Sequence, residues 1–269
     1  MPMQRATIDL GDGRVAALWQ GGQGSPPLLL LHGGWAGAQA HWSAVWERLG
    51  GRHRVVAPEL PGIAQGSGDP WTRYEAYVRW LDRLLGRLQL EPAVVVGNSF
   101  GATLAWLLAL QHPGRCRALV MIDGFPPPEL PALLRGLMRW SPLRAGALAH
   151  MRRHVYGARA LATAFHDPAL APDEIRRRLE QPDDRLIAAM FDTVLASRTP
   201  PGRPAQPTLL IWGADDRLPN ADVGVGRRLH ERWPGSRLVV IERAGHLPQV
   251  EQPQAFVDAL LPFAAQAAR

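Results

Sequence analysis

Between Leu28 and Phe263 the sequence alternates short, unbroken apolar runs with segments in which apolar residues recur at every third or fourth position. The runs are Leu28 to Leu31, Val55 to Ala57, Ala93 to Val96, Ala118 to Ile122, Thr208 to Trp212 and Leu238 to Ile241. Runs of this length without polar alternation are what strands buried on both faces require. Helical spacing occupies Trp42 to Leu49, Tyr74 to Leu88, Ala102 to Gln111, Val223 to Trp233 and Phe256 to Phe263. A chain that passes repeatedly from buried strand to helix is confined to an α/β fold, a mostly parallel sheet flanked by helices. Ahead of this pattern, Thr7 to Leu10 and Val15 to Trp19 read as a hairpin, because Gly11-Asp12-Gly13 between them tolerates positive φ.

The alternation lapses from Phe125 to Pro207, where arginine-rich, helix-like stretches contain no buried strand. Proline clusters bound this segment, FPPPELP from Phe125 to Pro131 and TPPGRPAQP from Thr199 to Pro207. Such clusters end helices and stiffen connections. The expected organisation is a core domain formed by residues 1–124 and 208–269, interrupted by a helical cap at 125–207.

Composition removes several classes of chemistry. All 30 basic residues are arginine, which excludes Schiff-base catalysis, a pyridoxal phosphate anchor and a Walker A phosphate loop. The single cysteine, Cys116, excludes an internal disulfide, Cys-ligated zinc and iron-sulfur clusters; it fits a reducing compartment and reads as a packing residue. A formal charge of +6 is modest, and apart from Arg152-Arg153 and Arg176-Arg177-Arg178 the arginines are scattered, so no nucleic-acid partner is expected. The first residues carry no signal-peptide core, and no apolar run reaches the roughly 18 residues of a membrane span. The expectation is a cytoplasmic protein without a membrane partner, its oligomeric state left open by the sequence.

The chemistry concentrates at Gly97-Asn98-Ser99-Phe100-Gly101, where the chain leaves Val94-Val95-Val96 and enters the apolar helix beginning at Ala102. A serine on so sharp a strand-to-helix turn needs small flanking residues, and it stands where the helix N-terminus favours developing negative charge. Leu28 to Leu31 runs into His32-Gly33-Gly34-Trp35, a loop able to lend an amide to an oxyanion. The expected donors are the N–H groups of Gly34 and Phe100, since acyl transfer needs fixed donors where the carbonyl oxygen becomes negative. Asp215 and Asp216 follow the strand ending at Trp212, and His246 follows the strand ending at Ile241. An acid that orients a histidine, and a histidine that activates a serine, complete a nucleophilic constellation.

These motifs, in the order Ser, Asp, His, resemble the α/β-hydrolase superfamily over essentially the whole chain. The resemblance implies an eight-stranded sheet, a helical cap, and Ser99, Asp216 and His246 as catalytic residues. The family's acid motif, a glycine, two variable residues and an aspartate, falls on Gly213 to Asp216 and selects Asp216 over Asp215. Glu251 and Pro253 extend the resemblance and read as structural. The chain departs from the family pattern at Glu59, where aspartate is usual, and at Ala64, near a usual glycine, which implies a displaced loop. GNSFG is similar to hydrolases of carbon–carbon bonds in ring-cleavage products, but Leu247 stands where those enzymes usually carry tryptophan.

The resulting expectation is a cofactor-independent and metal-independent serine hydrolase acting on a small or medium ester. The alternatives are a carbon–carbon bond hydrolase of a carboxylated dienone and a non-catalytic fold that binds a ligand. Trp35, Trp106 and Trp140 are candidate pocket residues, and Arg135, Arg139, Arg152, Arg153 and Arg159 candidate partners for a substrate carboxylate. Asp123, at the end of its strand, is an alternative triad acid or a structural residue. His32 reads as a hydrogen-bonding residue beneath the oxyanion loop. His150 and His154 share a helical face but lack the glutamate of a zinc motif.

Overall fold

The apolar runs become strands of a single sheet. The computed structural model describes every residue except 1, 12, 91, 128, 129, 139, 199, 268 and 269, so the middle of the Gly11 to Gly13 turn and Arg139 lie outside the described residues. In chain order the elements are β1 (Gln4–Gly11), β2 (Arg14–Gly21), β3 (Leu28–Leu31), α1 (Ala38–Trp42), α2 (Trp46–Gly50), β4 (Val55–Pro58), α3 (Tyr74–Leu88), β5 (Ala93–Asn98), α4 (Phe100–Gln111) and β6 (Cys116–Ile122). Between β6 and β7 (Thr208–Gly213) the chain forms α5 (Ala132–Leu137), α6 (Ser141–His154), α7 (Arg159–Ala164), α8 (Asp173–Glu180) and α9 (Asp184–Ala196). It ends through α10 (Val223–Arg232), β8 (Arg237–Ile241), α11 (Pro248–Glu251) and α12 (Pro253–Ala267).

The eight strands lie in the order β1-β2-β4-β3-β5-β6-β7-β8. β2 runs antiparallel to β1 and β4, and every other neighbouring pair is parallel. This is the α/β-hydrolase fold. β3, β4, β5 and β7 are buried at every residue, which is why their sequences show no alternation. One face of the sheet packs against α3, α4 and α10, and the other against α1, α2 and α12. In α3 the buried positions Tyr74, Tyr77, Val78, Leu81, Leu84, Leu85 and Leu88 follow helical spacing, with Trp80 buried beside them, and Gln89, in the left-handed conformation at φ 49°, ends the helix. α4 is apolar on all sides because it is buried on all sides, between the sheet and residues such as Leu186 and Met190 of α9.

Two expectations need correction. Trp42 to Leu49 is not one helix: the chain breaks between α1 and α2, and Trp42 packs on Phe256 while Trp46 packs on Trp19, ring centroids 6.4 and 5.1 Å apart. Two anchors on different elements override the helical spacing. β8 is not buried on both faces; it is an edge strand whose Leu238, Val239 and Val240 are half-buried. In the loop after β4, Ala64 adopts φ 53°, the left-handed conformation that a glycine takes without strain. In the same loop the Glu59 carboxylate accepts the Ala38 N–H at 3.1 Å, at the start of α1. Among the described residues no helix is long and apolar enough to cross a membrane.

Candidate active site

Strand register gathers the candidate residues at one edge of the sheet. Asn98 pairs with Ile122, Ile122 with Ile211, and Gly213 with Ile241. The ladder continues past the strands: Ser99 N–H donates to Ile122 O at 2.9 Å, Asp123 N–H to Ile211 O at 3.1 Å, and Ala214 N–H to Ile241 O at 2.9 Å. The loops bearing Ser99, Asp123, Asp216 and His246 thus leave the carboxyl ends of adjacent strands, where the sites of open α/β sheets form.

The turn at Ser99 is steric in origin. A methyl group on Gly97 would lie 2.1 Å from Gly101 O, and one on Gly101 would lie 2.3 Å from Leu31 O, so neither position accepts a side chain. Ser99 itself sits at φ 54° and ψ −117°, a conformation that costs on the order of 1–3 kcal/mol and persists only where surrounding structure imposes it. Phe100 is the first residue of α4, so its N–H lies outside the helix's own ladder.

His246 donates from Nδ1–H to Asp216 Oδ2 at 2.7 Å, and Asp216 Oδ1 accepts the Leu218 N–H at 3.0 Å. Both residues are buried. A carboxylate only accepts, so this bond places the proton on Nδ1 and leaves Nε2 as the basic nitrogen. Asp215 points elsewhere: its Oδ2 accepts from His166 Nδ1 at 2.8 Å, and Arg217 lies 3.7 Å from its other oxygen. Asp123 is buried beside the pair and accepts the Gly213 N–H at 3.1 Å.

Further residues hold this arrangement. Asn98 Nδ2 donates to His246 O at 3.0 Å and to Ile122 O at 3.3 Å, fastening the histidine loop to the elbow. Glu251 accepts Gly245 N–H at 2.6 Å with one oxygen and Asp167 N–H at 2.9 Å with the other. His246 N–H donates to Ala164 O at 2.6 Å, so the end of α7 forms part of the wall behind the imidazole. Spacing along the chain carries no signal for either of these bridges between loops.

Ser99, His246, Gly34 and Phe100 open on one cavity of about 210 Å³. Met151, Val155, Tyr156, Met190 and Val194, from α6, the turn after it and α9, line the same space. Trp35 lines it too, its ring 5.2 Å from that of His246 and its Nε1–H donating to Val155 O at 2.9 Å. The other tryptophan candidates do not line it: Trp106 is in the core, and Trp140 is exposed. None of the candidate arginines among the described residues lines the cavity. Arg135 donates to Ser197 O at 3.4 Å, Arg152 pairs with Asp184, and Arg153 and Arg159 are exposed. His150 and His154 face each other at 4.6 Å, and among the described residues no further ligand gathers around them.

Below the loop of Gly33 and Gly34, His32 Nε2 accepts the Leu60 N–H at 2.9 Å, so its Nδ1–H donates to Gly33 O at 2.7 Å. His41 donates from Nδ1–H to Gly37 O at 3.0 Å. Burial lowers the pKa of His32 to about 4, and burial together with the neighbouring His32 lowers that of His41 to about 3. Both are neutral in the native state and titrate normally when unfolded, so the stability they confer is present above pH ~6.5 and is lost as pH falls toward their native values. His41→Gln is expected to remove about 3 kcal/mol of the stability lost by the wild type between pH ~6.5 and ~4. Urea unfolding of the two proteins across that range measures it.

Residues 28–259 match the model of the alpha/beta hydrolase family. The pimeloyl-[acyl-carrier protein] methyl ester esterase of Aeromonas hydrophila subsp. hydrophila is 29% identical over 90% of this chain and 96% of its own. The 2-hydroxymuconate semialdehyde hydrolase of Pseudomonas putida is 29% identical over 91% of this chain and 89% of its own. A thermophilic esterase from Thermogutta terrifontis superposes with a TM-score of 0.74 at 23% identity, covering 99% of this chain and 100% of that one.

Proposed function

From the premise that the chain belongs to the alpha/beta hydrolase family, we propose that it is a serine hydrolase that cleaves small carboxylic esters with an apolar acyl group. Ser99 Oγ adds to the ester carbonyl while His246 Nε2 takes its proton, and the N–H groups of Gly34 and Phe100 receive the oxyanion. His246 passes the proton to the departing alkoxide, leaving an acyl-serine. Water then adds to the acyl carbon, giving its proton to His246, and collapse returns Ser99 and releases the acid. Asp216 fixes the tautomer and stabilises the imidazolium, and no metal or organic cofactor enters any step. The helices from α5 to α9 act as the cap that shapes the pocket, and the partner is a small molecule.

The observation that favours ester over dienone is the lining of the cavity. A substrate carboxylate buried beside Ser99 would need a cationic partner, and among the described residues no arginine lines this space. A volume of about 210 Å³ also lies below the roughly 300–1,000 Å³ of drug-sized pockets. Across p-nitrophenyl esters, kcat/KM is expected to be highest for short acyl chains and at least about tenfold lower at octanoyl and beyond. The same panel includes a carboxylated dienone, the substrate class suggested by the Pseudomonas putida relative. Faster cleavage of the dienone than of every ester would assign carbon–carbon hydrolysis instead. Turnover of neither, with Ser99 unreactive to a fluorophosphonate, would leave ligand binding as the function.

A further inference from the structure

Asp123 is a buried acid that the mechanism above does not use. Oxygens of Asp123 and Asp216 and a ring nitrogen of His246 lie within 4.8 Å of one another. Asp123 is 1% exposed and Asp216 3%. The bonds that reach this pair from the protein are already allotted. Asp216 takes the His246 Nδ1–H and the Leu218 N–H, and Asp123 takes the Gly213 N–H, at 3.1 Å to one oxygen and 3.4 Å to the other. No arginine is a partner of either carboxyl in these bonds.

Two carboxylates so close, out of water and without a cation, do not both ionise; one retains its proton and the other carries the charge. Which one does so follows from their partners. Asp216 faces the group that becomes an imidazolium, whereas among the described residues Asp123 accepts one backbone amide, that of Gly213, to stabilise a charge. We propose that Asp123 is a positioning residue that keeps its proton and donates it to the Asp216 carboxylate, so that the pair at the ends of β6 and β7 carries one negative charge. Burial, and then the Asp216 charge, push the Asp123 carboxyl well above the usual carboxylate range. The other titratable groups that face this cluster are Glu251 from α11, which acts on Asp123, and His41 from α1, which acts on His246. The role rests on the serine-hydrolase reading, and it adds a specific function: by sharing the charge of Asp216, the donor limits how strongly that carboxylate holds the imidazolium proton.

The test has one arm that does not depend on catalysis. A carboxyl that stays protonated in the native state confers stability that is full below its unfolded pKa of about 3.9 and is lost as pH rises through its higher native value. Asp123→Asn has no such loss, so its melting temperature should gain on the wild type from pH ~4 to ~7, by about 5 °C. A constant or falling difference would overturn the proposal, because it would mean that Asp123 is ionised. The second arm is the pH profile of kcat/KM on a short p-nitrophenyl ester. Asn at position 123 keeps a neutral donor to Asp216, so the acid limb should stay within a few tenths of a pH unit. Asp123→Leu removes the donor and should move the limb upward by about one unit. A downward shift in Asp123→Asn, or no shift in an Asp123→Leu protein that folds, would overturn the role. Wild-type labelling by a fluorophosphonate separates the two levels: if Ser99 is not labelled the hydrolase reading fails, whatever the melting curves give.

Discussion

Ser99→Ala is expected to lower kcat on every ester by about 10⁶-fold while leaving the fold and the melting temperature essentially as in the wild type. The loss is this large because, in the proposed mechanism, the serine, the imidazole and the carboxylate act as a unit. Without Oγ there is no covalent acyl intermediate, and the remaining rate is what the Gly34 and Phe100 amides and substrate binding provide. Stability should be spared because the bonds that hold the elbow are made by the backbone of residue 99, the N–H to Ile122 O and the carbonyl from Ala102 N–H. A fluorophosphonate should add its mass once to the wild type, on the peptide containing Ser99, and not to the variant. Turnover at the wild-type rate in Ser99→Ala would assign the nucleophile elsewhere.

The sheet was legible because parallel strands buried on both faces cannot alternate, so each one leaves an unbroken apolar run. The elbow was legible for a related reason. Gly97 and Gly101 meet backbone atoms within about a van der Waals radius of where a side chain would begin, and the constraint is written into the residues beside Ser99. Other features depend on packing between elements distant in sequence. Trp106 sits in a helix that is apolar all round, so nothing in its spacing says whether it faces the sheet or the cavity. The inward face of α6 is set by its contact with α9, where Arg144 pairs with Asp192 and lies 5.3 Å from the Phe191 ring centre. Arg152 pairs with Asp184 in the same contact, and Met151 between these arginines faces the site. The meeting of Asp123 with Asp216 follows from the register of β6 on β7, which a single sequence does not display.

Asp216→Asn should lower kcat by about 10⁴-fold, the scale of loss when a triad aspartate becomes an amide that favours the wrong imidazole tautomer. In this protein the neighbouring acid makes the consequence more specific. After burial, the Asp216 charge is the largest of the influences that push the Asp123 carboxyl upward. Once that charge is gone Asp123 is free to ionise, within 4.8 Å of the histidine nitrogen. It can then stabilise an imidazolium electrostatically, although its bond to Gly213 N–H holds it in a different orientation from the lost carboxylate. Asp123→Asn should therefore cost little when Asp216 is present and about a further tenfold when position 216 is already asparagine. Residues in one hydrogen-bonded network show such non-additivity, and a double-mutant cycle on kcat measures it. Equal effects on both backgrounds would mean that Asp123 does not respond to the charge of Asp216. A loss in Asp123→Asn as large as that in Asp216→Asn would instead make the residue after β6 the acid that serves His246.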